Sequence, residues 1–525
     1  MKRFKILLFC SILHFPALPQ YMQINWQQCF QMNPHDVARG IELAGDNYLI
    51  SGYTEPSTGN YDVFLFKTDL EGNLLWDKTF GGASGDQGVD IFPADEGNYF
   101  IAAISVSTGG DVTFNPYPGT VNYWILKIDS AGNKLWDKMY GGNGYDDLWA
   151  AITTYDGGIA AFGRTTSPDG DISIAYGAWD MWLLKTDSLG IKMWDFSIGA
   201  PGFDLGSAVI QTSDGGYLLG GSAQVEGGGN YECEPFSWYA ATILFKLDSN
   251  TNIEWQRCYS GSYHDGISTL LATSDGYIVS GYTSSDDGDM EGCGYHLGYQ
   301  NETRTDDIWL AKIDLSGNIV WQKCLGGSKG DYVYNIFESG DGGFLVFGTT
   351  TSFDGDVSGN HSFPGNPDIW VVKVSSEGEL MWQQCIGSEG KNRLEGAVIK
   401  TSDSTYVVAS NTSSNLSGDL TCRIENGFVW LFEISDLTVG ISEPSVAQNM
   451  VKVFPNPAST FVEFGTSGFK SGTIRVIDIT GRLRAEIPLN GERSFLDVRH
   501  LSAGMYLYQV TSGEYHQNGK IIISR

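Results

Sequence analysis

A hairpin motif that recurs about every 60 residues constrains the fold of this chain more than any other feature. The motif reads Trp-x-Leu-Lys-x-Asp-x-x-Gly-Asn-x-x-Trp, and its clearest copies run from Trp124 to Trp136 and from Trp182 to Trp194. The other copies are at residues 309–321 and 370–382, with weaker ones at 64–76 and 243–255. A fixed period of this kind indicates a fold built from one repeated supersecondary unit.

The repeat region has half a hairpin at each end. Trp430 opens a seventh copy that no tryptophan strand follows, whereas residues 25–30 match residues 320–325 with no partner strand before them. If the first strand pairs with the last, the sheets close into a ring, which hides strand edges that would otherwise pair with other chains. We therefore predict an all-β fold, a seven-bladed β-propeller at residues 22–436.

Each copy also contains a turn followed by an apolar strand. Asp-Gly and Asn residues in these turns supply the positive φ angles that tight hairpins require. The turns are at residues 46–50, 97–101, 156–159, 214–217, 275–278, 341–344 and 403–406. Each predicted blade therefore contains strand A, this turn, strand B, a variable B–C loop, strand C, the Asp-x-x-Gly turn and the tryptophan strand D.

The Asp-x-x-Gly-x-x-x-Trp element resembles the tryptophan-docking motif of quinoprotein-type propellers, in which an indole packs between neighbouring blades. The whole repeat also resembles propeller proteins of Bacteroidetes whose loops read Asp-Gly-Asp-Val-Ser-Gly-Asn. Both resemblances span residues 24–436, and neither implies an activity.

The C-terminal segment carries four motifs in a fixed order: Val453-Phe454-Pro455-Asn456-Pro457, Ile477 to Arg482, Gly504-Met505-Tyr506, and Gly519 to Ile523. Their order and spacing resemble the type A C-terminal sorting domain of the type IX secretion system of Bacteroidetes. The resemblance implies a small Ig-like β-sandwich at residues 452–525, contact with the secretion machinery, and a secreted protein or one anchored at the outer-membrane surface. The sorting-motif residues are Pro455, Asn456, Pro457, Gly504, Tyr506 and Lys520.

The N-terminus has the layout of a cleaved secretory signal. Lys2, Arg3 and Lys5 precede an apolar run from Ile6 to Phe15, so we expect a signal peptide at residues 1–21. No later stretch reaches the roughly 18 uninterrupted apolar residues of a spanning helix, so we expect no transmembrane helix. Residues 437–451 have little periodicity and are interpreted as a linker.

The formal net charge is −30. Nucleic-acid binding relies on a basic footprint, so a nucleic-acid partner is excluded. An acidic surface suits an extracellular protein or one that binds divalent cations.

An acidic residue follows strand D at a fixed offset in six copies, with Asn392 in the seventh. Because the D–A connection leads to the innermost strand of a blade, these side chains are predicted to ring the axis and could hold a cation or ligand there. The alternative is that each carboxylate accepts backbone N–H bonds and fixes the turn. The predicted axial ring is Asp36, Asp86, Asp146, Asp204, Asp265 and Asp331.

Three B–C loops contain acidic clusters, in which closely spaced carboxylates could wrap a hard cation such as calcium. The alternative is solvated Asx turns. The candidate ligands are Asp169, Asp171, Asp287, Asp289, Asp354 and Asp356. Calcium is the one cofactor considered, and none is expected to be required.

Aromatic residues crowd two of the B–C loops, where they could form a glycan or protein contact surface or pack on one another. They are Tyr231, Phe236, Trp238 and Tyr239 in the fourth copy, and Tyr295, His296 and Tyr299 in the fifth.

Seven cysteines remain after the signal peptide, so at least one is unpaired. Cys233 and Cys293, in B–C loops of adjacent blades, are the predicted disulfide. Cys29, Cys258, Cys324 and Cys385 follow the strand D tryptophan and are interpreted as core residues.

The sequence contains no catalytic motif of the Gly-x-Ser-x-Gly or His-Glu-x-x-His kind. We therefore predict a monomeric propeller of binding or structural type, with a glycan or surface protein as its ligand. The alternative is a carboxylate-dependent polysaccharide hydrolase or lyase, a reaction that needs only two suitably spaced acids.

Overall fold

The computed structural model describes residues 21–31, 36–57, 59–224, 229–232, 240–300, 303–413, 416–422, 428–437, 452–454, 458–465, 471–478, 482–490, 493–512 and 515–524. Contacts divide the chain into two compact units, residues 1–440 and 441–525. The expected signal peptide and linker lie outside the described residues, apart from Tyr21 and Leu437.

The described part of the first unit forms seven sheets of four or five strands, and five of them are built from consecutive strands. The first strand of the chain is β1 (Met22–Phe30). Sheet 1 contains β2 (Val37–Leu43), β3 (Asn47–Ser57), β4 (Asn60–Asp69) and β5 (Leu74–Phe80). Sheet 2 contains β6 (Asp86–Pro93), β7 (Tyr99–Ser105), β8 (Asn122–Ile128) and β9 (Lys134–Tyr140). Sheet 3 contains β10 (Asp146–Thr153), β11 (Ile159–Thr165), β12 (Asp180–Thr186) and β13 (Lys192–Ile198).

The next three sheets repeat this order of strands A to D. Sheet 4 contains β14 (Asp204–Gln211), β15 (Tyr217–Ala223), β16 (Ala241–Leu247) and β17 (Ile253–Tyr259). Sheet 5 contains β18 (Asp265–Thr273), β19 (Gly276–Thr283), β22 (Asp307–Asp314) and β23 (Ile319–Leu325), with a hairpin of β20 (Tyr299–Gln300) and β21 (Thr303–Arg304) in its B–C loop. Sheet 6 contains β24 (Asp331–Glu338), β25 (Phe344–Thr350), β26 (Asp368–Val374) and β27 (Leu380–Ile386). Short 3₁₀ helices are at Asp95–Gly97 and Gly288–Met290.

Sheet 7 joins the two ends of the repeat region. It contains β28 (Asn392–Arg393), β29 (Val398–Lys400), β30 (Thr405–Thr412) and β31 (Phe428–Asp436), and β1 pairs antiparallel with β31 as its outer strand. The pairing of the first strand with the last that the half-hairpins predict is therefore confirmed.

Strand A of each sheet faces the centre of the first unit. Strands β2, β6, β10, β14, β18 and β24 contact one another in this order, and β2 also contacts β29 and β30 of the last sheet. The all-β, propeller-like class predicted from the sequence is confirmed.

Neighbouring sheets are joined by two repeated elements of the hairpin motif, the turn glycine and the strand D tryptophan. Gly132, in the Asp-x-x-Gly turn of sheet 2, has φ +73° and lies so close to Trp76 of sheet 1 that an added Cβ would be 2.5 Å from the indole. Gly378 lies against Trp321 in the same way, with an added Cβ at 2.5 Å. The glycine is needed both for the left-handed turn and for the space that the indole fills.

The second unit has seven described strands in two sheets. One sheet contains β32 (Lys452–Phe454), β33 (Phe461–Gly465) and β36 (Arg493–Asp497). The other contains β34 (Ser471–Asp478), β35 (Leu483–Asn490), β37 (Gly504–Ser512) and β38 (Tyr515–Ile523). Apolar residues of both sheets, among them Val462, Phe464 and Val476, form its core.

Candidate ligand site in the central cavity

A β-bulge at the same place in strand A of six sheets turns one extra side chain toward the centre. In β10, for example, Leu148 and Ala150 both pair with β11, and Trp149 between them is left out of the register. In each of the other five sheets, the bulge residue likewise comes three positions after the aspartate that follows strand D. A bulge of this kind re-aims a side chain without ending the strand.

The bulge residues, together with Glu395 between β28 and β29, line one cavity of about 440 Å³. We call this set the bulge ring. Its members are Arg39, Val89, Trp149, Ser207, Ser268, Tyr334 and Glu395. Six residue types occupy its seven positions, with serine at two of them, in contrast to the repeated turns and tryptophans behind it.

One side of the cavity is lined by the charged side chains of Arg39 and Glu395. Glu395 lies between two arginines, with Oε2 3.1 Å from Nε of Arg39 and Oε1 3.1 Å from Nε of Arg393. The guanidinium of Arg39 also lies 5.8 Å from the ring centre of Tyr53. The single carboxylate thus offsets one of the two positive charges here.

Asp90 supplies a second carboxylate to the cavity wall. Its Oδ1 accepts the N–H of Ile91 at 2.8 Å. Burial, with a smaller effect of the negative charge of Glu42, raises the pKa of Asp90 to about 7. Near neutral pH this group can both donate and accept a hydrogen bond.

In sheet 3 the cavity wall contains the indole of Trp149, and Arg164 lies beside this indole. Trp149 is 51% exposed, and Arg164 lies 4.3 Å from the ring centre of Trp179 and 5.9 Å from that of Trp149. Asp147 accepts hydrogen bonds from Nε and Nη2 of Arg164, at 3.1 and 2.8 Å. The arginine is thus fixed and neutralised, and it holds a partly exposed indole at the cavity wall.

The predicted axial ring lies elsewhere than the sequence indicated. All six aspartates are buried, and the residues that line the cavity are from the bulge ring instead. In Asp146, Oδ2 accepts the N–H of Gly142 at 2.8 Å and the hydroxyl of Ser167 at 2.9 Å. Asp331 makes the equivalent bonds to Gly327 and Ser352, at 2.8 and 2.9 Å. The same carboxylate-to-turn bond is made by Asp86, Asp204 and Asp265, while Asp36 accepts the hydroxyl of Thr54. The aspartates that fix the turn into strand A are therefore Asp86, Asp146, Asp204, Asp265 and Asp331.

The predicted calcium loops are fastened to the same turns. Asp169, Asp287 and Asp354 accept backbone N–H bonds from Asn143, Ser262 and Ser328 at 2.9, 2.7 and 2.7 Å. Asp171, Asp289 and Asp356 each direct Oδ2 to the first N–H of the turn, at 3.1, 3.0 and 3.4 Å. Among the described residues, no three acidic, histidine or cysteine side chains are already grouped to hold a metal ion.

Two of the loop tyrosines make structural hydrogen bonds through their hydroxyl groups. The hydroxyl of Tyr231 donates to Asp204 Oδ1 at 2.7 Å, and that of Tyr295 donates to the carbonyl of Thr305 at 2.6 Å. Tyr299 is 56% exposed, whereas Phe236, Trp238 and Tyr239 lie outside the described residues.

The predicted disulfide between Cys233 and Cys293 is wrong. Cys293 is bonded to Cys324, and Cys29 is bonded to Cys422. Both bonds join a B–C loop to strand D of the same sheet, because the loop folds back over its own outer strand. Cys258 is also disulfide-bonded, Cys385 is unpaired and buried, and Cys233 lies outside the described residues.

The sorting-motif residues lie in the second unit. Tyr506 is buried in β37, and its hydroxyl donates to the carbonyl of Ser502 at 3.0 Å. Gly504 opens the same strand and Lys520 is in β38, while Pro455, Asn456 and Pro457 lie outside the described residues. In the part of the chain that is described, no helix has the length and apolar character to cross a membrane.

Comparison with known families identifies the second unit. Residues 452–524 match the secretion system C-terminal sorting domain. The protein is therefore exported by the type IX secretion system, either to the cell surface or released, and the sorting domain engages the secretion machinery.

Two curated proteins are similar to parts of the chain. The regulatory protein FlaEY of Caulobacter vibrioides is 22% identical over 220 residues, which are 40% of this chain and 23% of that protein. An endo-acting ulvan lyase of Formosa agariphila is 25% identical over 194 residues, 35% of this chain and 31% of that protein. The matched part thus spans less than a third of either relative.

Two solved structures are distantly similar to the chain. Puromycin hydrolase is 11% identical with a TM-score of 0.40, over 82% of this chain and 58% of that chain. A neuraminidase-like protein from a flat-faced bat isolate is 9% identical with a TM-score of 0.35, over 81% of this chain and 96% of that chain.

Proposed function

We propose that this chain is an exported seven-bladed β-propeller of binding type, and that its central cavity holds the end of a neutral glycan. The observation that carries the proposal is the bulge ring. Seven equivalent positions carry six different residue types around one cavity, whereas the turns and tryptophans behind them repeat. A purely structural repeat gives no reason for this divergence, and a binding site does, because a ligand needs a few unique groups in fixed places.

The chemistry of the cavity supports a sugar. Its volume of about 440 Å³ is within the range of ordinary ligand pockets. The exposed face of Trp149 offers flat apolar area on which a sugar ring can stack. Asp90 and Glu395 offer carboxyl oxygens that accept hydroxyl hydrogen bonds.

The charge balance supports a neutral ligand. Arg39 and Arg393 are paired with Glu395, and Arg164 is paired with Asp147. The chain as a whole carries −30. An anionic ligand would approach against this field and would meet Arg39 at the cavity wall, already paired with the carboxylate that it shares with Arg393.

A glycan screen of the full-length protein tests the proposal, followed by titration of each hit against Trp149→Ala. We expect a neutral glycan to bind and the variant to weaken it by roughly tenfold or more, a loss typical of removing one stacked aromatic anchor. Tyr155→Ala is the matched control, because Tyr155 is 71% exposed and is not part of the cavity wall. Binding unaffected by Trp149→Ala, or equal losses in both variants, would refute the cavity as the site.

Catalysis is the second candidate, and Asp90 is the observation that favours it. A carboxyl group with a pKa of about 7 in a cavity is suited to general acid or base work on a glycosidic bond or a uronate. Release of new reducing or unsaturated ends from a bound polysaccharide, lost in Asp90→Asn, would establish a hydrolase or lyase. Binding without any such release establishes the binding function.

A further inference from the structure

A buried carboxylate fixes the exposed indole of Trp149 at the cavity wall. Asp147 Oδ2 accepts the Nε1–H of Trp149 at 3.2 Å and two N–H bonds from Arg164, at 3.1 and 2.8 Å. Asp147 is 8% exposed, whereas Trp149 is 51% exposed. The indole is thus held in place although it faces outward, so a ligand that stacks on it does not have to order it first.

Arg164 connects this indole to two further aromatic rings. Its guanidinium lies 5.9 Å from the ring centre of Trp149 and 4.3 Å from that of Trp179. Tyr145 packs edge-on against Trp179, with the ring centres 5.3 Å apart and the ring planes at 70°. Tyr145 is 38% exposed. Three rings are therefore joined through one arginine, whose charge is paired with Asp147.

Phe203 continues this set of rings onto sheet 4. Its backbone forms a parallel bridge with that of Trp179, and the N–H of Asp204 donates to the carbonyl of Trp179 at 3.0 Å. Paired residues of neighbouring strands direct their side chains to one face, and Phe203 is 49% exposed. We call the four rings the aromatic wall: Tyr145, Trp149, Trp179 and Phe203. The wall begins at the central cavity, because Trp149 also lines that cavity.

The arrangement that holds the wall occurs in sheet 3 alone. Asp147 and Arg164 pair directly across β10 and β11, and the same register gives the equivalent pair in each other sheet. No other pair combines an acidic with a basic residue. The equivalent pairs are Val37 with Tyr53, Gln87 with Ile104, Leu205 with Ser222, Gly266 with Tyr282, Tyr332 with Thr349, and Arg393 with Asn411. Six sheets form without the arrangement, so the repeat itself does not require it, and a ligand beside the cavity gives it a use.

The wall suits uncharged sugar units with flat faces. A pyranose whose hydroxyls are mostly equatorial presents C–H groups on its faces, and these faces stack on aromatic rings. Beside the wall, the charge of Arg164 is already paired with Asp147, so no free cation is offered to an acidic group. The net charge of −30 likewise disfavours an anionic chain.

We propose that the aromatic wall binds the sugar units next to the one in the central cavity, so that the ligand is a neutral oligosaccharide chain of gluco- or xylo-configured units. The inference rests on the proposed function, because the wall begins at the Trp149 of that site. A chain that stacks on several fixed rings gains contact area with each added unit until the wall is filled. Affinity should therefore depend on chain length, which a cavity for a single sugar does not require.

Titration of the full-length protein with oligosaccharides of one to six units tests the proposal. The probes are the β-1,4-glucan, β-1,3-glucan and β-1,4-xylan series. We expect the affinity of the wild type to rise with chain length. In Phe203→Ala and Tyr145→Ala we expect roughly tenfold weaker binding of the longest chains, a loss typical of one stacked ring, with the affinity for the shortest bound chain unchanged. Phe114→Ala is the matched control, because Phe114 is 72% exposed in the B–C loop of sheet 2 and lies outside the wall.

Two results would overturn the wall and leave the cavity as the ligand site. One is wild-type affinity that does not depend on chain length. The other is long-chain binding that is lost in Trp149→Ala but kept in both Phe203→Ala and Tyr145→Ala. Losses as large in Phe114→Ala as in the wall variants would also overturn it. If the wild type binds no member of any series, the wall and the proposed glycan site fall together.

Discussion

The indole Nε1 of Trp430 donates a hydrogen bond to Oε1 of Gln27 at 3.1 Å, across 403 residues of sequence. The same bond joins strands C and D within four other sheets, where the partners are only 13 residues apart: Trp124 to Asp137, Trp182 to Asp195, Trp309 to Gln322 and Trp370 to Gln383. The first strand of the chain thus takes the place of a local strand D, and the last sheet is completed by the same contact as the others.

The disulfide between Cys29 and Cys422 should contribute more to stability than the one between Cys293 and Cys324. The sequence separations are 393 and 31 residues, and in the chain-entropy model this difference corresponds to about 2 kcal/mol. Urea unfolding of Cys422→Ser and Cys324→Ser under non-reducing conditions measures it. Equal losses of unfolding free energy in the two variants, or a larger loss in Cys324→Ser, would contradict this prediction.

Gly132→Ala should destabilise the first unit more than Gly342→Ala. Both glycines have positive φ, +73° and +80°, so both variants carry the strain of a left-handed alanine, on the order of 1 kcal/mol. At Gly132 the new Cβ would also be 2.5 Å from Trp76, whereas at Gly342 nothing lies within 4 Å. We expect an additional cost of about 1–3 kcal/mol in Gly132→Ala. Equal unfolding midpoints would show that the indole does not depend on this glycine.

Stability should fall as the pH rises from about 4 to about 7. Burial raises the pKa of Asp204 and Asp331 to about 7 and that of Asp265 to about 6. Each group binds its proton more tightly in the folded chain than in the unfolded chain, where the pKa is near 3.8. Protonation therefore favours folding, and this contribution is lost as the pH passes the folded value.

The denaturant midpoint of the wild type should accordingly be lower at pH 7.5 than at pH 5.5, with a smaller difference in Asp331→Asn. Asp403→Asn is the control, because the side chain of Asp403 is 87% exposed. A wild-type midpoint that rises between pH 5.5 and pH 7.5 would contradict the prediction. So would a midpoint difference between the two pH values that is as large in Asp331→Asn as in the wild type.

Glu395→Gln should change ligand preference. The variant removes the carboxylate that lies 3.1 Å from both Arg39 and Arg393, so the guanidinium of Arg39 at the cavity wall loses its compensating charge. We expect affinity for a uronate-containing glycan to rise relative to a neutral one, by roughly tenfold for one new charge-assisted contact. Comparative titrations check this, with the exposed Glu338→Gln as control. An unchanged preference would remove Glu395 from the site.

The sequence predicted the closure of the repeat region because the evidence for it is local. The sequence shows one strand without a partner at residues 25–30 and another at residues 430–434. Pairing these two strands with each other gives both edges a hydrogen-bonding partner. The positions of the turn aspartates were also predicted from the sequence, but the orientation of their side chains was not. Asp146 follows a glycine turn, and the same spacing fits a side chain that faces the axis or one that folds back on Gly142.

The cavity residues were not predictable, because a bulge is a feature of register. Trp149 faces the cavity only because Leu148 and Ala150 both pair with β11, and hydrophobic alternation within one strand does not reveal an extra residue. Aligning the seven strand-A segments with one another would have revealed these residues. Arg39, Trp149 and Glu395 fall at the same position of that alignment, and the residue type differs there from repeat to repeat. The disulfide pairs were missed for a related reason, since the B–C loops differ in length and their return path over strand D is a tertiary contact.

Filling the cavity is the most direct test of the central claim that the bulge ring holds the ligand. Ser268 lines the cavity, so Ser268→Trp places an indole where the glycan would lie, and Ser268→Ala leaves the space open. Calorimetric titration of both full-length variants with the glycan that binds the wild type measures the effect. We predict that Ser268→Trp loses binding while Ser268→Ala keeps it with an unchanged Tm. Wild-type affinity in a folded Ser268→Trp protein would contradict the account.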